Sequence, residues 1–242
     1  MLCVSTKPAS TPMPLDESLA TLAHELRDPL TTILLALEAI SDDGDIAPAA
    51  QRAHTIAAHQ ARRAVRMVDD LFDLCASSWN KLPLCMEMVE LGEVVAVSTE
   101  TTAHLFAARR HRLTVSLPAE PVFLVADALR LEQVLTNLLA NAAKFTDPGG
   151  HIRLTAGAEA GQAVLRVRDN GRGIGPDLLP RVFDLFWQGP GLGEKRTRGL
   201  GLGLALVKSL VELHGGSVAA YSDGPGAGAE FIVRLPTCSR DT

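Results

Sequence analysis

A histidine and a glutamate stand side by side in the stretch LAHELRDPLTTI, residues 22–33, and a proline follows five positions after the histidine. These neighbours are His24 and Glu25. A carboxylate next to an imidazole can accept the proton of one ring nitrogen and leave the other nitrogen nucleophilic. Pro29 has no amide to donate to the carbonyl of Glu25, so the helix holding the pair is expected to kink there.

Helical geometry directs His24 toward solvent. Successive residues of a helix advance about 100°, which puts His24 about 200° past Leu22 and nearly opposite the seam of Leu22 and Leu26. A histidine satisfied within a core fits this position poorly, and a plain surface histidine leaves its glutamate and proline neighbours unexplained. A zinc-protease motif needs a second histidine at position 28, where the chain has Asp28.

Two long helices are predicted to carry this stretch. Leucines and isoleucines recur every three or four positions over residues 15–40, which is a seam for packing helix on helix. After a turn at 41–48, a second apolar stripe runs through residues 49–79, and it comprises Ala53, Ile56, Ala64, Met67, Val68, Leu71 and Cys75. Such a hairpin has too small a core alone, so pairing with a second copy into a four-helix bundle is expected.

Beyond Pro83 the sequence changes to short strands and helices. Strands are predicted near 84–90, 112–117, 121–126, 151–156, 162–168, 216–221 and 229–235, and helices near 91–108, 128–144 and 201–213. Helices grouped between strands favour a two-layer α/β sandwich with one face of the sheet covered. The predicted parts are a disordered lead-in at 1–14, a helical hairpin at 15–80 and an α/β domain at 81–237.

Composition excludes several classes of protein. The chain has 242 residues, of which 47% are hydrophobic, and a net charge of −5, which recruits neither nucleic acid nor an anionic membrane. No secretory leader and no run of about 18 apolar residues is present, so no membrane insertion is expected. The four cysteines are scattered, as in proteins with reduced thiols. These features favour a soluble cytoplasmic protein.

Three polar residues share one face of the helix predicted at 128–144. Asn137, Asn141 and Lys144 fall at i, i+4 and i+7. The neighbouring apolar face comprises Leu131, Leu135, Leu138, Ala142 and Phe145. A solvated polar stripe is the commoner explanation of such a pattern, although asparagine is an indifferent helix former and gains little on a wet surface. Amide oxygens also suit Mg²⁺, and an ammonium group suits phosphate.

The stretch VRDNGRGIG, residues 167–175, runs from a predicted strand directly into a glycine series. Gly171, Gly173 and Gly175 are a weak signal, because backbone permissiveness explains most glycine-rich turns. Asp169 is the sharper feature, since a carboxylate at the strand end can accept a hydrogen bond from the amino group of adenine.

Residues 180–216 carry the strongest indication of a phosphate site. Phe183 and Phe186 are expected to seat one helical turn in the core, and the glycine-rich stretch after them to form a mobile lid. An alternation of glycine and leucine then presents backbone amides and a helix N-terminus to an anion. Its glycines are Gly199, Gly201 and Gly203. The cations upstream either close over phosphates or form a solvated basic run, and they are Lys195, Arg196 and Arg198.

Two other nucleotide-binding patterns are absent. A Rossmann glycine turn should lie in a βαβ unit with an acidic residue about 20 positions later, and a P-loop needs Lys-Ser or Lys-Thr after its glycines. The order of motifs instead resembles that of bacterial sensor histidine kinases, over roughly residues 15–236. HELRDPL resembles their phosphoacceptor box and the hairpin their dimerisation and phosphotransfer domain, whereas the later stretches resemble the N, G1, F and G2 boxes of their ATP-binding domain.

The resemblance implies a homodimeric kinase that uses ATP to phosphorylate itself on His24, with Glu25 as the base. The phosphoryl group then passes to an aspartate on the receiver domain of a response regulator. Asp28 stands where such kinases commonly have threonine or asparagine, which is associated with dephosphorylation of the regulator. Its negative charge is expected to weaken that activity. No sensor domain precedes residue 15, so input is expected from a partner or from a part of the protein outside this sequence.

For the ATP site, the resemblance implies that Asn141 holds Mg²⁺, that Asn137 and Lys144 lie beside the phosphates and that Asp169 reads adenine. The remaining ATP contacts that it implies are Gly171, Gly173, Arg196, Arg198, Gly199, Gly201 and Gly203. Gyrase-like and chaperone ATPases have a water-activating glutamate in the place of Asn137, which favours phosphotransfer over hydrolysis here. The alternative is a non-catalytic dimeric module that binds nucleotide and sequesters a regulator.

Overall fold

The structure is a computed structural model that describes residues 30–35, 37, 48–78, 82–187 and 201–238. The chain divides into two compact units, with the boundary between Ser78 and Trp79. Among the described residues, no helix combines the length and the hydropathy needed to cross a bilayer.

The first unit is helical in the part that the structure describes. It contains helical residues 30–35 and helix α1, Pro48–Ser78. Pro48 suits the start of α1, because amides in the first turn of a helix have no acceptor within the helix and the missing amide of proline costs nothing there. The predicted helix is therefore confirmed to within one residue at each end. The first half of the predicted seam, together with the bend at Pro29, lies outside the described residues.

One residue of the apolar stripe predicted on α1, Ile56, is not covered within the single chain. This side chain is 62% exposed, whereas Ala58 and Ala61 are buried. Val68 is buried as predicted. The sequence of α1 is rich in alanine, so apolar residues lie on more than one face and their spacing alone does not fix which face is covered.

The second unit is a mixed α/β domain. Within the described residues its strands are β1 (Glu87–Glu90), β2 (Arg112–Ser116), β3 (Phe123–Ala126), β4 (His151–Glu159), β5 (Gln162–Asp169), β6 (Ser217–Tyr221) and β7 (Glu230–Pro236). Its helices are α2 (Leu91–Arg109), α3 (Ala128–Phe145) and α4 (Gly203–Leu213), with a short 3-10 helix at Leu179–Arg181. Every strand and helix predicted beyond Pro83 is present.

The strands form two sheets. Five of them make a sheet in the order β2-β4-β5-β7-β6, in which β2 and β4 are parallel and the other neighbours are antiparallel. β1 and β3 form a separate antiparallel pair. Side chains alternate along β4, where Ile152 and Leu154 are fully buried and Arg153 between them is exposed. The larger sheet therefore has one covered and one open face, and the predicted two-layer sandwich is confirmed.

The aromatic pair predicted in the core separates into one inward and one outward ring. Phe183 packs edge to face against Phe231, with ring centroids 6.3 Å apart. Phe186 is 54% exposed and adopts a left-handed backbone conformation with φ of 60°. Its prediction as a core residue is wrong, because the 3-10 helix ends at Arg181 and the turns that follow break the helical spacing.

Candidate functional site

Helix α3 holds the polar face of the candidate site. The apolar side of α3 anchors it on the sheet, through side chains with no exposed area: Leu131, Val134, Leu135, Leu138 and Leu139. Asn137 and Asn141 are half-buried, and their side chains form no hydrogen bond within the described residues. Half-buried amides that have no partner in the described part of the chain are available to a ligand, because a polar group shielded from water is costly unless it is hydrogen-bonded.

Lys144 and Phe145 end this helix. The Lys144 ammonium lies 4.7 Å from the centroid of the neighbouring Phe145 ring, which is a cation–π distance. Phe145 is exposed, so the prediction that it completes the apolar face is wrong. The ring instead lies beside the cation at the same end of α3 as the glycine-rich turn.

Arg109 fixes the end of α3 from a neighbouring helix. The Nη1 group of Arg109, the last residue of α2, donates to three carbonyl oxygens that close α3. The acceptors are Ala143 at 2.8 Å, Lys144 at 2.9 Å and Thr146 at 3.1 Å. The last carbonyls of a helix have no partners within it, so these bonds hold the backbone from which the Lys144 side chain extends.

The N-terminus of α4 lies against the amides of α3. A Cβ atom on Gly203, the first residue of α4, would lie 3.1 Å from Oδ1 of Asn137. Gly201 has φ of 76°, and a Cβ there would overlap the carbonyl of Trp187. The N-cap residue Leu202 makes no side-chain cap. The first amides of α4 therefore face outward beside Asn137, which is an arrangement that suits an anion.

Asp169 is a buried carboxylate at the end of β5. Its side chain is 7% exposed, and Oδ1 accepts a hydrogen bond of 2.8 Å from the amide of Gly171. Burial raises the pKa of the Asp169 carboxyl above its ordinary value, and backbone hydrogen bonds from Gly171 and Ala229 oppose that rise. Because burial disfavours the charge of this carboxylate, a hydrogen-bond donor on a ligand would stabilise it, which fits recognition of a donor at this position.

The glycine-rich turn after β5 is locked to the end of α3. The amide of Arg172 donates to the carbonyl of Phe145 at 3.2 Å, and a Cβ on Gly171 would overlap that same carbonyl. Gly173 has φ of 67°, and a Cβ there would overlap the carbonyl of Gly224. Both positions thus need glycine. These contacts fix the turn at the end of α3, and the start of α4 lies beside Asn137 on the same helix.

The described residues contain only part of the predicted site. His24, Glu25 and Asp28 lie outside them, as do Arg196, Arg198 and Gly199, so the roles of these residues stay predictions. The other predicted residues are all on α3, on the turn after β5 or at the start of α4.

Arg109 is a site residue that the sequence did not reveal. Its acceptors lie 34 to 37 positions away, and no local pattern predicts so distant a cap. Asp127 has a clearer signal, because an aspartate directly before a helix is a common N-cap; its Oδ1 accepts from the amide of Arg130 at 3.1 Å.

Comparisons with known proteins identify two family domains in the chain. Residues 15–75 match the His Kinase A (phospho-acceptor) domain, and residues 126–239 match the histidine kinase-, DNA gyrase B- and HSP90-like ATPase family. The structure of the mycobacterial sensor histidine kinase MprB is 30% identical and has a TM-score of 0.54, over 63% of this chain and 97% of that one. The chain belongs to the sensor histidine kinase family.

Two longer relatives show how much of a histidine kinase the chain represents. It is 38% identical over 217 residues to the probable sensor histidine kinase TcrY of Mycobacterium tuberculosis, covering 90% of this chain and 45% of that protein. Full-length ShkA in complex with AMPPNP is 28% identical with a TM-score of 0.78, over 94% of this chain and 47% of that one. The chain thus spans less than half the length of the first curated relatives that it matches.

Proposed function

We propose that this chain is an ATP-dependent protein-histidine kinase that phosphorylates itself on His24 and passes the phosphoryl group to an aspartate of a response regulator. The convergence of Asn137, Gly203 and the Asp169 turn around α3 carries the proposal. The match of residues 15–75 to a phospho-acceptor domain supports it from the other end of the chain.

ATP is the proposed nucleotide. The ionised Asp169 accepts a hydrogen bond from the adenine amino group, and the outward amides at the start of α4 bind phosphate oxygens. Asn137 and Lys144 add neutral and charged donors to the same phosphates. The match to an ATPase family and the similarity to ShkA, which was solved with AMPPNP, support nucleotide binding.

Mg²⁺ fits the residues proposed to hold it. Asn141 supplies an amide oxygen that has no hydrogen-bond partner within the described residues, and a hard cation favours such oxygens together with phosphate oxygens and water. No cluster of three or more histidine, cysteine or acidic side chains suited to a metal occurs in that part of the chain. When bound, Mg²⁺ supplies neutralisation of the developing phosphate charge.

The proposed transfer has two steps. One ring nitrogen of His24 attacks the γ-phosphorus, the bond to the β,γ-bridging oxygen breaks, and ADP leaves; Glu25 accepts the proton of the other ring nitrogen. A carboxylate oxygen of the regulator's aspartate then attacks the same phosphorus, the phosphorus–nitrogen bond breaks, and Glu25 returns the proton so that His24 leaves as neutral imidazole. Positioning and charge neutralisation lower most of the barrier in such transfers.

A homodimer is the proposed assembly. Ile33 and Ile56 are more than half exposed in the single chain, although both belong to the apolar stripes predicted for the helical hairpin. A second copy that covers these side chains removes apolar surface from water. The input is proposed to come from a separate sensor or from a further part of the protein, and Asp28 is proposed to weaken dephosphorylation of the regulator.

Labelled ATP tests the proposal. With ATP labelled at the γ-phosphate and Mg²⁺, the purified chain is expected to acquire protein-bound label and to release little free phosphate. Nucleotide binding without label on the protein favours the non-catalytic module, and label released only as free phosphate favours a hydrolase. Asn141→Ala is the matched loss-of-metal variant, and it is expected to remove the label while the fold is kept.

A further inference from the structure

Asp127 and His214 lie at the far end of the helix pair that carries the phosphate-binding residues. Asp127 precedes α3 and His214 follows α4, and both are buried, at 7% and 6% exposure. The backbone amide of Asp127 donates to Nε2 of His214 at 3.1 Å. Nδ1 of the same ring lies 2.7 Å from the carbonyl of Leu210. Because Nε2 accepts, the ring proton lies on Nδ1 and is donated to Leu210.

The Asp127 carboxylate ties this end of the pair to the rest of the domain. Oδ1 caps α3 by accepting from the amide of Arg130 at 3.1 Å. Oδ2 accepts from the amide of Cys85, just before β1, at 3.0 Å. The start of α3 is thereby fixed, and the His214 bond joins the end of α4 to this fixed point.

The two helices run antiparallel, and a second contact joins them at the phosphate end. From Asp127 to Asn137 is ten positions along α3, and from Gly203 to His214 is eleven positions along α4. At about 1.5 Å per residue both distances come to roughly 16 Å. The bond between Asp127 and His214 and the approach of Gly203 to Asn137 therefore mark the two ends of one aligned pair.

The apolar contacts of α4 do not by themselves fix its axial position. Its inner face comprises Leu206, Val207, Leu210 and Val211, all fully buried. Burial of apolar area is non-directional, whereas a hydrogen bond requires a narrow range of distance and angle. Leu202 makes no side-chain cap at the start of α4, whereas the bond from Asp127 to His214 supplies a directional contact at the other end of this helix.

We propose that the hydrogen bond from Asp127 to His214 sets the axial register of α4 against α3, and so holds the first amides of α4 beside Asn137 for the phosphates of the nucleotide. The inference rests on the proposed function for the identity of that ligand. His214 is a positioning residue, since it lies about three helical turns from the phosphate end and acts through the backbone of α4.

Two substitutions of similar size separate this role from simple packing. His214→Gln places Oε1 near the position of Nε2 and keeps an acceptor for the Asp127 amide. His214→Asn keeps a donor for Leu210 but is too short to reach that amide. Val95→Ala, which shortens a buried side chain of α2, is the matched control for lost stability.

The dissociation constant for AMPPNP with Mg²⁺ is measured by calorimetry well below the melting temperature of each variant. His214→Asn is expected to weaken binding about tenfold, because an unmade buried bond releases the register and small misplacements of binding groups are costly. His214→Gln is expected to stay within about threefold of wild type, and Val95→Ala within about twofold, despite its lower melting temperature. A glutamine variant no better than asparagine, or an asparagine variant with unchanged affinity, overturns the inference.

Hydrogen exchange without nucleotide tests the register independently of ATP. In the wild type, the amide of Asp127 and those of residues 206–208, the first amides of α4 that are hydrogen-bonded within the helix, are expected to open as one cooperative unit with matching protection. In His214→Asn, exchange at residues 206–208 is expected to speed up, and His214→Gln is expected to restore the slower exchange. Unlinked opening of the two ends in the wild type overturns the inference even if the variants do not fold. A wild type that has linked ends but does not bind AMPPNP refutes the proposed function alone.

Discussion

Replacing Asp169 by asparagine removes one negative charge from the candidate adenine site while keeping the shape of the side chain. The carboxylate is the proposed acceptor for the adenine amino group, and a hydrogen bond to a charged group contributes about 1.5–3 kcal/mol. At about 1.4 kcal/mol per factor of ten, Asp169→Asn is expected to weaken ATP binding by about 10- to 100-fold. Oδ1 of asparagine can still accept from Gly171, so the turn is expected to keep its conformation.

The pH dependence of this site has opposite signs for stability and for binding. Burial raises the pKa of Asp169 in the folded protein above the value of about 3.9 expected in the unfolded chain. Ionised Asp169 therefore destabilises the nucleotide-free fold above the folded pKa. This cost is relieved as the pH falls through that pKa, and it is absent below the unfolded pKa. As the pH falls through the same range, Asp169 loses its negative charge and becomes a poorer acceptor. The affinity for ATP therefore falls while the free energy of unfolding rises.

The assay compares wild type with Asp169→Asn at several pH values between 7 and 4, by denaturant unfolding without nucleotide and by binding of AMPPNP. Asp177→Asn, an exposed carboxylate in the same region, is the control for a change of net charge. The difference in unfolding free energy between wild type and Asp169→Asn is expected to shift in favour of wild type as the pH falls. Equal affinities of the two proteins for AMPPNP at neutral pH refute the role assigned to Asp169.

Substitutions at three further positions test other parts of the site. Arg109→Met leaves the carbonyls at the end of α3 without their donor, so it is expected to lower the unfolding free energy by about 1–3 kcal/mol and to raise the KM for ATP. Arg109→Lys is expected to recover much of both the stability and the KM. A lysine variant as impaired as the methionine variant contradicts the capping role. Gly203→Ala improves helix propensity but puts a Cβ 3.1 Å from Oδ1 of Asn137. The melting temperature is therefore expected to stay unchanged while the affinity for AMPPNP falls several-fold. Unchanged affinity argues against a phosphate site there. Asp28→Asn is expected to speed dephosphorylation of the regulator, measured with purified phosphorylated receiver domain, and equal rates reject the proposed effect of the charge.

The predictable parts of the molecule are those that local spacing specifies. The alternation along β4 and the apolar spacing of α3 each follow from the period of a strand or a helix, so the strands and helices of the second unit are where the sequence puts them. The common face of Asn137 and Asn141 follows from the same helical period.

The contacts that sequence analysis missed depend on the tertiary fold. Arg109 meets the end of α3 only because α2 packs beside it, and His214 meets Asp127 across 87 positions of sequence. The prediction for Phe186 was wrong for a local reason: helical spacing predicted burial, but the left-handed backbone at Phe186 turns the ring outward. Local spacing likewise does not determine which face of α1 is covered in the single chain, because an alanine-rich helix has several weakly apolar faces.

Transfer of phosphate from ATP to His24 is the central claim, and the chemical stability of the label tests it most directly. After incubation of the wild type and of His24→Gln with γ-labelled ATP and Mg²⁺, protein-bound label is treated with acid and with alkali. The wild type is expected to carry label that is lost in acid and kept in alkali, as a phosphorus–nitrogen bond requires, and His24→Gln to carry none while it still binds AMPPNP. Label of the same kind on His24→Gln, or acid-stable label on the wild type, contradicts the account.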